Sequence, residues 1–116
     1  MKIFTHTIGD ICYKIRIGRN AKENWELIDD SESFDLWIHL DSYPSPHVVI
    51  SQDITKHPDL FYPNEILSLG SYYCKLYSKF KANDSKIKVV YTQIENLKKG
   101  IQPGSVIISK PNYFFI

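Results

Sequence analysis

Hydrophobic and polar positions alternate with period two in several stretches of this chain, the signature of strands with one buried face. Residues 11–17 alternate cleanly: Ile11, Tyr13, Ile15 and Ile17 fall on one face, Cys12, Lys14 and Arg16 on the other. In Asp35-Leu-Trp-Ile-His-Leu-Asp41, Leu36, Ile38 and Leu40 share one face, and Asp35, Trp37 and His39 share its opposite. A carboxylate, an indole and an imidazole in one line are unusual for a plain solvated face. The turn Tyr43-Pro-Ser-Pro46 then reverses the chain, because proline fixes φ and restrains its predecessor. His47 emerges beyond it, before Val48-Val-Ile50, and a hairpin here would bring His47 back towards His39. Residues 86–92 form a further strand, with Ile87, Val89 and Tyr91 against Lys88, Val90 and Thr92. Residues 105–109 read as a last buried strand, and residues 3–7 as a short edge strand ending near Gly9-Asp10.

Two stretches carry helical spacing. Asn20 can cap a helix over residues 21–29, with Trp25 and Ile28 as its buried side, joined by Ala21 or Leu27. Pro63 suits a first helical turn and Glu65 its positive end. From there Ile66, Leu69, Tyr73, Leu76, Tyr77 and Phe80 make one apolar stripe over nearly five turns, ending near Asn83-Asp84. Gly70 inside it costs roughly 1 kcal/mol against alanine and marks close packing. Lys75 and Lys79 fall on the opposite face. Residues 93–99 are a short helix or irregular connection, Pro103-Gly104 is a turn, and Phe114-Phe-Ile116 tucks back onto the body. These elements predict a single domain over residues 1–116 of α+β class. Its mostly antiparallel sheet packs against one long amphipathic helix and one or two shorter helices.

Composition supports a folded globular chain, with 43% hydrophobic and 14% aromatic residues in 116. The formal net charge is only +1, so the chain lacks the plainly basic balance of many nucleic-acid binders. Charge is uneven, however. Residues 22–35 hold six acids against one lysine, while cations gather in Lys14, Arg16 and Arg19 and over residues 75–99. Such poles can orient an anionic partner. Cys12 and Cys74 lack the spacing of a zinc site or disulfide framework and read as reduced thiols. No apolar run approaches the ~20 residues that span a bilayer, and the first residues lack a signal-peptide core. The expectation is a soluble cytoplasmic protein without membrane partners.

Lys14, Arg16 and Arg19 beside Trp37 would offer charge for phosphates plus a stacking plane, a pairing suited to single-stranded or looped RNA. The structural alternatives are a solvated strand face for Lys14 and Arg16, burial for Trp37 and a helix cap for Asn20. Lys75, Lys79, Lys98 and Lys99 individually read as solvated. His39 and His47, with Asp35 or Asp41, could ligate a metal or perform acid–base chemistry. No third ligand has diagnostic spacing, and no HExxH, phosphate-cradling glycine loop or nucleophile elbow is present. Structural hydrogen bonding is the preferred reading of both histidines, with no metal and no cofactor.

Three segments together resemble the NFACT-R domain, the RNA-binding module of the NFACT family of ribosome quality-control factors. They are Gly18-Arg-Asn-Ala-Lys-Glu-Asn24; Asp35-Leu-Trp-Ile-His39 with Ser45-Pro-His-Val48; and, further on, Tyr77-Ser-Lys79, Val89-Val-Tyr-Thr92, Lys98-Lys99 and Pro103-Gly-Ser-Val106. The resemblance covers about residues 13–108. It implies binding of RNA, either tRNA or ribosomal RNA, in translation or ribosome quality control. Candidate RNA-binding residues are Lys14, Arg16, Arg19, Asn20, Trp37, His39, His47, Lys75, Lys79, Lys98 and Lys99. This chain departs from the family in having Ser45-Pro46 where members commonly have Gly-Ser. Its long helix has Leu69, Gly70, Tyr72 and Tyr73 in place of the usual small-residue packing. The partner domains of full-length members are absent, so the layout resembles a stand-alone version. A non-catalytic RNA-binding module is the leading expectation. The alternatives are an enzyme acting on RNA or a nucleotide through His39 and His47, and a protein-binding adaptor using the acidic segment or the apolar C-terminus.

Overall fold

The computed structural model describes residues 1–79 and 86–116. The alternating stretches form strands β1 (Lys2–Ile8), β2 (Ile11–Gly18), β3 (Leu36–Leu40), β4 (His47–Gln52), β5 (Lys88–Gln93) and β8 (Asn112–Phe115). They make one six-stranded sheet in the order β1-β2-β4-β3-β5-β8, antiparallel at every pairing described. Helix α1 (Ala21–Asp29) follows β2, and helix α2 (Asn64–Leu76) lies between β4 and β5. After β5 come one turn of 3₁₀-helix (Ile94–Asn96) and a small two-stranded sheet of β6 (Leu97–Lys99) and β7 (Val106–Ile108). The result is a mixed α and β domain with two α-helices among the described residues.

The period-two pattern correctly separates the two faces of the sheet. Tyr13, Ile15, Ile17, Leu36, Ile38, Leu40, Val48, Ile50 and Val89 are buried on the face that α2 covers. The other face is also covered. Trp37, Val49 and Val90 lie beneath Leu27 of α1 and Ile94, with half-buried Leu97, Val106 and Ile108 of the β6–β7 hairpin closing over them. Trp37 therefore faces a second core and not solvent, while Asp35 is buried against Arg16 and His39 is half-buried at the margin, which alternation alone does not reveal.

Helix α2 is shorter than its apolar spacing predicts, and it is turned. It ends at Leu76 after 13 residues; Phe80 and the predicted end near Asn83-Asp84 lie outside the described residues. Its buried side is Ile66, Leu67, Gly70, Ser71 and Cys74, whereas Leu69 and Tyr73 pack only at the margin of the core. The reason is interlayer distance. A Cβ on Gly70 would run into the side chains of Ile38 and come within 3.0 Å of Ile50, so small residues must face the sheet. Helix α1 shows the same displacement: Leu27 is fully buried and Trp25 and Ile28 only partly. Residues 105–109 do not form a buried strand of the main sheet. Their core is β7, half exposed and paired only with β6. The C-terminal tuck is real, since β8 pairs along β5 as an edge strand. Both cysteines are free, Cys12 half-buried and Cys74 buried, and desolvation raises the Cys74 pKa and keeps the thiol protonated.

Gly70→Ala tests the close approach. Helix propensity alone favours the variant by roughly 1 kcal/mol, yet overpacking against Ile38 and Ile50 costs about 1–3 kcal/mol. Urea denaturation is expected to show a net loss of stability; a gain would mean that the two layers have room to spare.

Candidate nucleic-acid interface

One cleft gathers residues from several of the sequence segments singled out above. Its wall begins where β2 ends. Gly18 pairs with His47 in the sheet register, and a Cβ there would collide with the Asn24 side chain. That close approach lets Asn24 Oδ1 accept the His47 backbone N–H at 3.3 Å, joining α1 to β4. Asn20 caps α1, its side chain accepting the Glu23 N–H at 2.9 Å. The β6–β7 turn rests on the first turn of α1: Gly104 has φ +85°, and a Cβ on it would lie 2.8 Å from Ala21 Cα. Trp25 secures that hairpin by donating Nε1–H to the Ser105 carbonyl at 2.9 Å. On the far side the rings of Phe4, Tyr73 and Tyr77 stack in series, and Lys2 Nζ lies 5.2 Å from the Tyr77 ring centre.

The cleft has a volume of about 570 Å³ and is lined by Lys2, Arg19, Asn20, His39, His47 and Lys79, among others. Its described lining includes three cations, Lys2, Arg19 and Lys79, and no carboxylate. Arg19 donates to Glu23 through Nε (3.2 Å) and Nη2 (3.0 Å), yet its side chain stays more than half exposed. Bonds from the Arg19 side chain, its backbone N–H and the N-terminal ammonium hold the Glu23 pKa at about 2. Lys2 carried no sequence signal, since an outward lysine on an edge strand is ordinary.

Trp37 does not present an open stacking plane. It is 1% exposed, and its Nε1–H donates to His47 Nδ1 at 3.1 Å. His39 stacks parallel to the indole at 5.7 Å, and the hairpin brings the imidazole centres within 5.0 Å of each other. Burial lowers the pKa of His47 to about 3, with His39 adding to the effect, so the ring is neutral. Burial lowers the His39 pKa as well, opposed by bonds to the backbone at Leu40 and Ser45 and by the Asp41 charge. Ser45 closes the turn: its Oγ accepts the Leu40 N–H at 3.1 Å and donates to the Pro46 carbonyl at 3.0 Å.

The remaining candidates lie elsewhere. Arg16 is tucked against Ser31 (2.9 Å) and 3.7 Å from Asp35. It shares a separate groove with Lys14, Asp30, Glu32, Asp35 and Asp53. Lys75 lines another groove, with Tyr72 and Phe114. Lys98 is exposed on β6. Lys99 bonds Asp29 at 2.8 Å and covers the Trp25 ring, tying β6 to α1. Among the described residues no group of three or more His, Cys, Asp or Glu is placed to hold a metal ion, and no helix is long and apolar enough to cross a membrane.

A sheet covered on both faces, with a cation-lined cleft, defines a small mixed α and β domain. Comparison with known proteins is more specific. The family described as NFACT protein RNA binding domain matches residues 1–110, and the chain belongs to that family. Similar proteins include coiled-coil domain-containing protein 25 of Mus musculus, 32% identical over 94 residues, 80% of this chain and 44% of the relative. Another is the Rqc2 homolog RqcH of Bacillus subtilis, 29% identical over 105 residues, 88% of this chain and 17% of that protein. The chain thus spans less than half the length of these relatives. In fold it is similar to the C-terminal part of the fibronectin/fibrinogen-binding protein from Streptococcus suis. That match has TM-score 0.77 and 24% identity, covering 98% of this chain and 43% of the other. Family membership supports an RNA-binding role.

Two outcomes follow from the Trp37–His47 pair. Trp37→Ala is expected to cost about 3–5 kcal/mol by leaving a cavity, measured by chemical denaturation; a loss near zero would mean the second core is not packed around the indole. His47 has a folded pKa of about 3 against ~6.5 in the unfolded chain. The unfolded form alone takes up a proton in that window. Stability present above pH 6.5 is therefore lost as pH falls towards 3, with a slope of up to about 1.4 kcal/mol per pH unit for each such histidine. Between pH 7 and 5, His47→Asn should show a shallower decline than the parent. Equal slopes would contradict a neutral buried imidazole.

Proposed function

We propose that this chain is a non-catalytic RNA-binding module that grips backbone phosphates in the cleft between α1, the β3–β4 turn and the end of α2. The carrying observation is the charge of the lining: Lys2, Arg19 and Lys79 converge, with no carboxylate among the described residues. The groove at Lys14 and Arg16 is lined instead by Asp30, Glu32, Asp35 and Asp53, and would repel a phosphate. The first turn of α1 reaches the same cleft at Asn20 and Ala21, and a helix start favours an anion through its unpaired N–H groups and dipole. Because Trp37 is buried, affinity rests on phosphates and not on a base stacked upon the indole. Transfer RNA or ribosomal RNA is the proposed ligand, in the cytoplasm, with ribosome quality control as the setting. The family match supports RNA as the ligand class, and the similarity to RqcH supports the quality-control setting.

Fluorescence anisotropy with labelled tRNA over a potassium chloride series tests it. The double variant Arg19→Ala/Lys79→Ala is expected to bind more weakly. Its log–log salt slope should flatten by roughly 0.7–0.9 for each phosphate that no longer meets a cation. Lys14→Ala/Lys98→Ala should stay close to the parent. Equal weakening in both variants would move the site away from the cleft.

A further inference from the structure

We propose that Trp37 is a positioning residue: it locks His47 into the tautomer with its proton on Nε2, so that this N–H donates to a phosphate oxygen of RNA in the cleft. The inference rests on the RNA reading above and assigns a role within that site.

The geometry carries it. Trp37 Nε1 has only a hydrogen to offer, so at 3.1 Å from His47 Nδ1 it requires a lone pair there. A neutral imidazole holds one proton, and with Nδ1 as acceptor that proton sits on Nε2. His47 is only 4% exposed, yet it lines the cleft. Among the described residues no protein group bonds Nε2, and the buried polar atoms lacking a partner are Arg16 Nε and Ser71 Oγ. The Nε2–H is therefore an unused donor on a ring that lines this cleft and the adjoining pocket beside Asp41 and Ser105. The Asn24 bond to the His47 backbone and the stacked pair Trp37 and His39 keep the ring from turning away. An uncharged, immobile donor adds direction to a cleft whose cations supply most of the attraction. A phosphate oxygen is the acceptor that Lys2, Arg19 and Lys79 would bring to it.

Long-range ¹H–¹⁵N correlation spectra of the ¹⁵N-histidine-labelled protein read the tautomer directly, without RNA. The parent is expected to show an acceptor-type Nδ1 and a protonated Nε2 on His47, and the Nε2–H resonance should move when tRNA is added. Trp37→Phe keeps the aromatic bulk and removes the donor; its His47 should show both tautomers in exchange and weaker tRNA binding. His47→Asn places a carbonyl where Nδ1 sits and nothing where Nε2 sits, whereas His47→Gln reaches the Nε2 position with an amide N–H. Asn is expected to lose about tenfold in affinity, the worth of one hydrogen bond, and Gln to retain most of it. A protonated Nδ1 in the parent, an unshifted Nε2–H on RNA binding, or equal affinity of the Asn and Gln variants would each overturn the inference and leave the RNA reading standing. A parent that binds no RNA would overturn the RNA reading itself, together with the ligand assigned to Nε2.

Discussion

The bond from the Trp37 indole to His47 is the constraint on which the rest of the structure depends. A buried indole N–H without a partner is costly, and the imidazole of the next strand is what satisfies it. Meeting that need fixes the β3–β4 pairing, Trp37 opposite Val49 and Ile38 opposite Val48. It also keeps His47 neutral and inward. Around the indole gather Leu27, Val49, Val90 and Ile94, so α1 and the β6–β7 hairpin are held to the sheet by the same side chain. The cleft exists because those two elements meet at the end of the sheet.

Charge is organised around that meeting point. A net charge of +1 gives no strong overall field, and many cations are paired with acids, but the described lining of the cleft holds cations without a carboxylate. The first turn of α1 opens on the cationic cleft, while Asp29, Asp30 and Glu32 lie at its other end and beyond. Carboxylates near a helix C-terminus oppose the dipole, and the last turn of α1 contains no basic residue. Lys99, reaching across from β6 to Asp29, supplies the missing cation.

The departures from the family pattern have local explanations. Ser45, preceding Pro46, uses its hydroxyl to bridge the Leu40 N–H and the Pro46 carbonyl, so the turn is closed by a side chain. Ser42 takes a positive φ of 67°, and the tight reversal that follows brings His39 and His47 together. In α2 and just beyond it the larger residues Tyr72 and Tyr77 are exposed and Tyr73 sits at the margin of the core, where it stacks on Phe4 of β1 and Tyr77 stacks on it in turn, beneath Lys2. Close packing against the sheet is kept by Gly70, Ser71 and Cys74.

Much of this was legible in the residues alone. Period-two alternation located the central strands, Asn20 and Pro63 marked the helix starts, and Tyr43-Pro-Ser-Pro46 announced the turn that pairs the histidines. Those signals are local, carried by backbone dihedrals and spacing within a few residues. What covers the Trp37 face was not legible, because alternation separates two faces without saying whether water or a second layer lies over either. Nor did spacing reveal that Lys2 and Lys79 share a cleft with Arg19 while Lys14 and Arg16 do not. Neighbours of that kind come from layers packing over one another, with partners as distant as Trp25 and Ser105, and only tertiary structure decides which side chains a crowded core turns outward.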